Sequence, residues 1–339
     1  MDNHDLNELK RLAQAIVDPN KTVRDLIPEA MALRDFFERK TNFQFDPSVN
    51  IASGETRLDS GLAVSPTIAA MCLRELARSV GFIRGVYQAI GDALQADRPV
   101  RVLYAGCGPY ALLALPSMAL MSPDRVRFTL LDIHQEALDR ALALIDSFGF
   151  RAYLDDTLCA DATRYRIPPD RQPDIILSET MAVCLHNEPQ VTIARHLLSQ
   201  APKARMVPQS VSVEVCLLNP SKEFVFMPAD HTGPVPEPDR DRIYLGKVFE
   251  LDATNIRAWE NIQGDSLPAG WVTLPSELEK RYLPYLLTKI AVYGDNCLQD
   301  YDSSLTMPRC LRDAPAAGET WQFRYDLGSH PELVYEVVA

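Results

Sequence analysis

From Val100 onward, segments typical of buried strands alternate with segments typical of helices, and this alternation limits the possible folds more than any other feature of the sequence. Strands are predicted over residues 100–106, 126–132, 152–161 and 173–179. Helices are predicted over 109–121, where Pro116 should kink or delay the helix, and over 134–149 and 188–200. This βαβαβ order indicates a parallel, doubly wound sheet that binds its ligands at the carboxyl ends of the strands.

The sequence on either side of this region predicts different secondary structure. Helical periodicity predicts helices over 5–17 and 24–40, a turn-rich linker over 41–61, and one long helix that Ser65-Pro66 begins and that continues to residue 94. After Pro208, short alternating segments predict antiparallel strands over 209–218, 222–228, 244–251, 270–275, 287–294 and 319–327. We therefore expect an N-terminal helical segment (1–64), a central α/β domain (65–207) and a β-rich C-terminal domain (208–339).

Charge and composition exclude several classes of protein. The chain has 339 residues with 34 Lys and Arg against 46 Asp and Glu, and a net charge of −12 disfavours nucleic acid as a partner. Seven scattered cysteines without a CxxC pair, and six histidines without HxxxH spacing, indicate a reducing compartment and no metal. With no signal peptide and no membrane-length apolar run, we expect a soluble, cytoplasmic protein that does not bind membranes.

The first predicted strand ends in a glycine turn that is typical of nucleotide-binding sites. Gly106 and Gly108 let the backbone turn sharply and approach a ligand closely, and Ala111 stands where a third glycine is common. NAD enzymes and S-adenosylmethionine (SAM) enzymes both use such a turn. A plain strand-to-helix turn is the alternative interpretation.

The next two strands also end in groups suited to a nucleoside. Asp132 ends the second strand, where a carboxylate can accept both ribose hydroxyls. Asp161 follows the third strand and could meet an adenine amino group, while the Ala162 N–H could meet a ring nitrogen. An ordinary loop acid is the alternative for Asp161. Three strand ends together predict a nucleoside site.

The fourth strand leads into a loop with a glutamate at each end, residues 178–188 with the sequence SETMAVCLHNE. Glu179 lies at the end of a buried strand, where a doubly wound sheet places its chemistry and where a carboxylate needs a partner. Glu188 lies near a predicted helix start, and the alternative for it is an acid that simply stabilises the helix dipole.

This loop resembles the double-glutamate loop of the protein arginine N-methyltransferases, in which two glutamates hold a guanidinium. The resemblance covers residues 65–218. ARHLLSQAPKARMVPQSVSVEV resembles the entry of that family into its β-barrel, and MCLRELARSVGFIRGVYQAI resembles its cofactor-covering helix. Arg78 takes the place of the arginine that pairs with the carboxylate of SAM.

The resemblance implies a Rossmann-like class I methyltransferase with a barrel-like C-terminal domain and SAM as methyl donor. Glu179 and Glu188 are then catalytic, and Arg78, Gly106, Gly108, Asp132, Asp161 and Ala162 bind the cofactor. The expected acceptor is a small cationic guanidino compound such as free L-arginine. The alternative acceptor is arginine in a protein. The alternative functions are a catalytically idle SAM-binding protein and an NAD oxidoreductase. The chain could also form a homodimer.

The sequence departs from this family at several positions. Ala111 replaces the third glycine, and Tyr104 replaces an acid near the end of the first strand. The threonine–histidine–tryptophan loop of the family corresponds at best to residues 319–321, which lack histidine and make Trp321 a weak substrate-binding candidate. The Pro-rich stretch 227–243 does not resemble the dimerisation arm of the family, and residues 1–60 have no counterpart.

Overall fold

The computed structural model describes residues 3–41, 48, 50–223, 238–311 and 315–338. The chain begins with helix α1 (Asn3–Ile16), a 3₁₀ turn (Arg24–Leu26) and helix α2 (Ile27–Thr41). Both helices bury apolar side chains at helical spacing, among them Leu9, Leu12, Leu33 and Phe37. The two helices predicted for this segment are therefore present.

The end of the predicted linker and the two residues after it form a small antiparallel hairpin, β1 (Thr56–Leu58) and β2 (Gly61–Ala63). Ser65 then accepts the Ile68 N–H and begins helix α3 (Pro66–Met71). The single long helix predicted from here to residue 94 is wrong. A 3₁₀ turn (Cys72–Arg74) and a non-helical Glu75 (φ −85°, ψ 86°) separate α3 from helix α4 (Leu76–Ala93).

The central sheet has five parallel strands in the order β5-β4-β3-β6-β7. They are β3 (Val100–Ala105), β4 (Val126–Asp132), β5 (Leu154–Cys159), β6 (Ile175–Ser178) and β7 (Arg205–Val207). The four strands predicted from the sequence are the first four of these. Every residue of β6 is buried, as the apolar sequence of a parallel strand requires.

Helices connect these strands: α5 (Leu115–Leu120), α6 (Gln135–Ser147) and α7 (Gln190–Gln200). Pro116 lies in the first turn of α5, so this helix is delayed rather than kinked. Helix α1 packs against α5, and α2 packs against α4. The N-terminal helices are thus part of the α/β domain's packing.

The C-terminal region is antiparallel. One sheet has the order β12-β11-β8-β9, with β13 on β11, and a second has the order β10-β14-β15. The strands are β8 (Ser210–Leu218), β9 (Arg242–Asp252), β10 (Ser266–Thr273), β11 (Leu283–Tyr293), β12 (Asn296–Leu298), β13 (Arg309–Cys310), β14 (Thr320–Asp326) and β15 (Glu332–Val337).

Two short helices interrupt these strands, α8 (Pro220–Glu223) and α9 (Ala253–Ala258). The strand predicted over 222–228 is wrong at its start, where α8 ends, and its remainder lies outside the described residues. Most of the Pro-rich stretch 227–243 also lies outside them. Strands β12, β13 and β15 were not predicted from the sequence.

Three further observations concern the described residues. None of their helices is both long and apolar enough to cross a bilayer. They contain no group of three or more His, Cys, Asp or Glu side chains able to hold a metal ion. All seven cysteines are free thiols.

Candidate functional site

The centre of the parallel sheet is where the direction of strand progression reverses. Strands β3 and β6 are neighbours there, and β4 lies on the other side of β3. Gly106 follows β3 and Glu179 follows β6. Open α/β sheets bind ligands at this switch point, and two adjoining cavities open there in this protein.

The glycine turn has the backbone geometry expected from its sequence. Gly106 and Gly108 have φ angles of 74° and 62°, which favour glycine. A Cβ on Gly106 would lie 2.4 Å from Cγ2 of Thr180. Ala111, in the place of a third glycine, also has a positive φ of 44°. The turn therefore requires glycine at position 106. At position 111 it keeps a positive φ although the residue is alanine.

Asp132, at the end of β4, is fixed by backbone hydrogen bonds. Its Oδ2 accepts the Gly108 N–H at 2.9 Å, and its Oδ1 accepts the His134 N–H at 2.9 Å. Burial raises the pKa of Asp132, although the two N–H bonds oppose this. The carboxylate thus links the ends of β3 and β4 at the wall of the smaller cavity.

Asp161 and Ala162 follow β5 and line the same smaller cavity. Oδ1 of Asp161 accepts the N–H of Thr163 at 2.8 Å and its hydroxyl at 2.7 Å. Part of this carboxylate therefore stabilises its own turn, as an ordinary loop acid does. Asp161 nevertheless lies at the same cavity as Gly106, Gly108 and Asp132.

The hairpin β1–β2 covers the smaller cavity, and sequence analysis missed this contribution. Leu58 and Leu62 line the cavity. The Leu62 N–H donates to the Asn187 carbonyl at 2.7 Å, and Thr56 Oγ1 lies 3.0 Å from His134 Nε2. A Cβ on Gly61 would lie 2.8 Å from the Asn187 oxygen, so the hairpin packs tightly against the residue before Glu188.

Glu179 is paired with a buried arginine. Arg78 Nε donates to Glu179 Oε1 at 2.7 Å, and its Nη1 donates to Glu75 Oε2 at 3.1 Å. The Arg78 side chain is 8% exposed. Burial opposes its charge, but Glu179 and Glu75 outweigh this and hold the pKa of Arg78 well above its usual value. Arg78 is therefore a permanent cation between two carboxylates.

Glu188 lies two residues before helix α7, separated from it by Pro189. Burial raises its pKa to about 7; Arg78 lowers this pKa, whereas Glu179 and Glu55 raise it. Near neutral pH, the carboxyl group of Glu188 is therefore divided between its protonated and ionised forms. A cation bound next to this carboxyl would lower its pKa and favour the ionised form.

The loop between the two glutamates has a strained backbone. Cys184, Leu185 and Asn187 have φ angles of 56°, 56° and 70° without being glycine. The β-rich region holds this conformation through long-range hydrogen bonds: Cys184 N–H to Thr288 Oγ1, Tyr325 Oη–H to the Leu185 carbonyl, and Asn187 N–H to the Pro331 carbonyl. Such strain persists where surrounding structure fixes it, and it is common at functional sites.

The larger cavity is lined by both glutamates, Arg78, Glu75 and Tyr104. It shares Gly106, Gly108, Glu179 and Glu188 with the smaller cavity. The two-glutamate loop and the glycine turn therefore lie at the junction of the two spaces. A ligand in one cavity would adjoin a ligand in the other.

Trp321 does not reach these cavities. Its side chain is 1% exposed, its indole N–H donates to Glu319 at 2.9 Å, and its ring stacks on Tyr335. The β-rich region instead reaches the larger cavity with Ser304 and Leu305. The Ser304 N–H donates to Glu75 at 3.2 Å, a contact that no sequence signal predicted.

No family model matches the chain, and no curated protein matches its sequence. Among solved structures, the chain is similar to the Trypanosoma brucei PRMT1 enzyme–prozyme heterotetrameric complex with AdoHcy. The match has a TM-score of 0.52 at 13% identity and covers 80% of this chain and 92% of that one. The chain therefore has the PRMT1-like fold expected from its sequence, with a Rossmann-like α/β domain followed by an antiparallel strand-rich region.

Proposed function

We propose that this protein is a SAM-dependent methyltransferase that methylates a guanidino nitrogen. The observation that carries the proposal is the meeting of two cavities at Gly106, Gly108, Glu179 and Glu188. One cavity has the polar groups of a nucleoside site, and the other has two carboxylates suited to a guanidinium. The transferred group would cross the junction between them.

The residues of the smaller cavity fit SAM. Asp132 would accept the ribose hydroxyls, Asp161 would accept the adenine amino group, and the Ala162 N–H would meet a ring nitrogen. At Gly108 the turn leaves its backbone open to close approach, because a Cβ built there would meet only the Cβ of Ala69, at 3.8 Å. The solved structure with the similar fold contains AdoHcy, the demethylated product of SAM.

Arg78 fits the carboxylate of the methionine moiety. Its Nε and Nη1 hold Glu179 and Glu75, while its Nη2 makes no hydrogen bond to any described residue. Arg78 lines the larger cavity next to the glycine turn. A carboxylate there would receive a charge-assisted hydrogen bond from Nη2 without displacing Glu179.

SAM supplies an electrophilic methyl group on a sulfonium. A guanidinium is protonated at physiological pH and needs help to present a lone pair. Glu179 and Glu188 would hydrogen-bond its N–H groups and draw the positive charge toward the nitrogens that do not react. Holding the remaining nitrogen in line with the methyl group supplies much of the rate. Glu188, with a pKa of about 7, is the carboxyl suited to take the released proton.

We propose free L-arginine or a related small guanidino compound as the acceptor. Support comes from the N-terminal helices, which pack behind the larger cavity. Glu38 of α2 accepts from Arg74 at 2.8 Å, and Phe37 packs on Tyr110 with ring centroids 5.8 Å apart. Arg74 and Tyr110 line the cavity. Helix α2 thus packs behind two residues of the cavity wall, and this added backing favours a small acceptor over a polypeptide.

Mass spectrometry tests this function. Purified protein is incubated with SAM and, in separate reactions, free L-arginine, arginine blocked at both its α-amino and α-carboxyl groups, and an Arg-Gly-rich peptide. Methylation of free arginine alone is the expected result. Comparable methylation of the peptide would replace the small-molecule acceptor with protein arginine. Calorimetry showing AdoHcy binding without methylation of any acceptor would indicate an idle SAM-binding protein, and tight NAD binding without AdoHcy binding would indicate an oxidoreductase.

We further infer a cytoplasmic protein and allow for a homodimer. The solved structure with the similar fold is a heterotetrameric complex, which makes assembly worth measuring. Light scattering coupled to size-exclusion chromatography would give the mass in solution. A mass near 37.9 kDa would exclude the dimer.

A further inference from the structure

Gln190 connects the two ends of the glutamate loop. It is the first residue of α7 and is only 2% exposed. Its Oε1 accepts the Thr180 N–H at 3.0 Å and lies 2.9 Å from the Thr180 hydroxyl. Its Nε2 donates to the Ser178 carbonyl at 3.0 Å. These bonds lie on both sides of Glu179, while Gln190 itself lies two residues after Glu188.

The same contacts reach the glycine turn. Thr180 Cγ2 lies 2.4 Å from the position that a Cβ on Gly106 would take, so the threonine side chain packs directly on the turn backbone. Since Gln190 fixes both the amide and the hydroxyl of Thr180, one carboxamide sets Thr180 against Gly106. The two glutamates and the cofactor turn thus share one buried support.

Helix α7 does not need these bonds for its own packing. Val191, Ala194, Leu197 and Leu198 bury its apolar face almost completely. Among the described residues, the Gln190 side chain forms hydrogen bonds with residues 178 and 180, and it forms none within α7. The side chain therefore acts on the loop rather than on the helix.

We propose that Gln190 is a positioning residue: it holds Glu179 at a fixed place relative to Glu188 and to the glycine turn. The inference rests on the proposed function, in which both carboxylates must contact one guanidinium. It predicts that loss of the carboxamide harms acceptor binding and methyl transfer more than it harms AdoHcy binding. The bonds of Gln190 lie directly on both sides of Glu179, whereas the glycine turn is also held by the hydrogen bond from the Gly108 N–H to Asp132.

The test compares Gln190→Met, which keeps side-chain length and removes every hydrogen bond, with Leu197→Val as a control that loosens α7 on the same core. Single-turnover methyl transfer at saturating SAM should fall by about 100-fold in Q190M, as expected for a displaced catalytic group. The KM for the acceptor should rise, and AdoHcy affinity should change by less than about threefold. Leu197→Val should keep the wild-type rate of methyl transfer, even if its melting temperature falls as much as that of Q190M.

Hydrogen exchange gives an independent readout. The Thr180 amide, which donates to Gln190, should lose protection in Q190M and keep it in Leu197→Val. Equal rates in Q190M and wild type, or equal loss of rate in both variants, would overturn the positioning role. A wild-type protein that methylates no guanidino compound would overturn the proposed function instead, and unchanged Thr180 protection in Q190M would then separately refute the connection through Gln190.

Discussion

Replacing Glu188 with glutamine should stabilise the folded protein at neutral and alkaline pH. The pKa of this carboxyl is about 7 in the folded protein against an ordinary value of 4.5, chiefly because of burial. Below pH 4.5 the carboxyl is protonated in both folded and unfolded chains, and the two proteins should differ little. As pH rises toward 7, the unfolded chain ionises while the folded protein keeps its proton, so wild-type stability falls.

The size of this effect follows from the shift. A difference of roughly 2.5 pH units at about 1.4 kcal/mol per unit gives about 3 kcal/mol as an upper value. Glu188→Gln lacks this loss, and its advantage over wild type should grow between about pH 4.5 and pH 7 and then level off. Such a gain in stability at the expense of activity is typical of functional sites.

Urea unfolding of both proteins at a series of pH values measures this. Glu136→Gln, in the exposed first turn of α6, is the matched control: it should lose about 0.3–1 kcal/mol where the glutamate is ionised and should gain nothing, because its charge favours the helix dipole. If Glu188 only stabilises the dipole of α7, its glutamine variant should instead be less stable than wild type by about 0.3–1 kcal/mol at pH values where the glutamate is ionised. That result would refute the reasoning.

Three further predictions concern the same site. Asp132→Ala and Arg78→Ala should each weaken AdoHcy binding by about ten- to a hundredfold in calorimetry, since each removes a hydrogen bond to a charged group worth roughly 1.5–3 kcal/mol; unchanged affinity would remove that residue from the cofactor site. Gly106→Ala should lower stability and AdoHcy affinity, because its Cβ would lie 2.4 Å from a side-chain carbon, whereas Gly91→Ala has no atom within 4 Å and should not. The kcat/KM for the acceptor should fall as pH drops below about 7, where Glu188 protonates; a flat profile from pH 6 to pH 8 would contradict this role.

The centre of the parallel sheet was predictable from sequence because most residues of β3, β4 and β6 are buried. Strand β4 matches the predicted range at both ends, and β3 and β6 lie within theirs. Near-continuous apolar runs between glycine and polar turns carry this signal. The switch-point rule then placed Gly106 and Glu179 at one edge without any knowledge of side-chain contacts.

The break between α3 and α4 could not be seen in the sequence. Apolar periodicity continues through residues 65–94, and no proline or glycine marks the interruption at Glu75. The reason is tertiary, since Glu75 accepts hydrogen bonds from Arg78 and from Ser304, 229 residues away. Contacts of that sequence separation override local propensity.

The remaining errors at the site have similar causes. The hairpin β1–β2 is formed by strands of only three residues, too short for an alternating pattern, although Asp59-Ser60-Gly61 is a turn signal. Trp321 was considered because of local resemblance alone. Its position depends on pairing with Val272 and Val337 in a sheet whose order the sequence does not reveal.

Single-turnover methyl transfer by Glu179→Gln and Glu188→Gln, measured by mass spectrometry with saturating SAM and free L-arginine, tests the central claim most directly. Both changes keep side-chain size and remove one negative charge from the larger cavity. If the two carboxylates polarise a guanidinium, wild type should form methylarginine, and each variant should be slower by orders of magnitude while AdoHcy affinity stays nearly unchanged for Glu188→Gln. Near-wild-type rates in both variants would contradict the account.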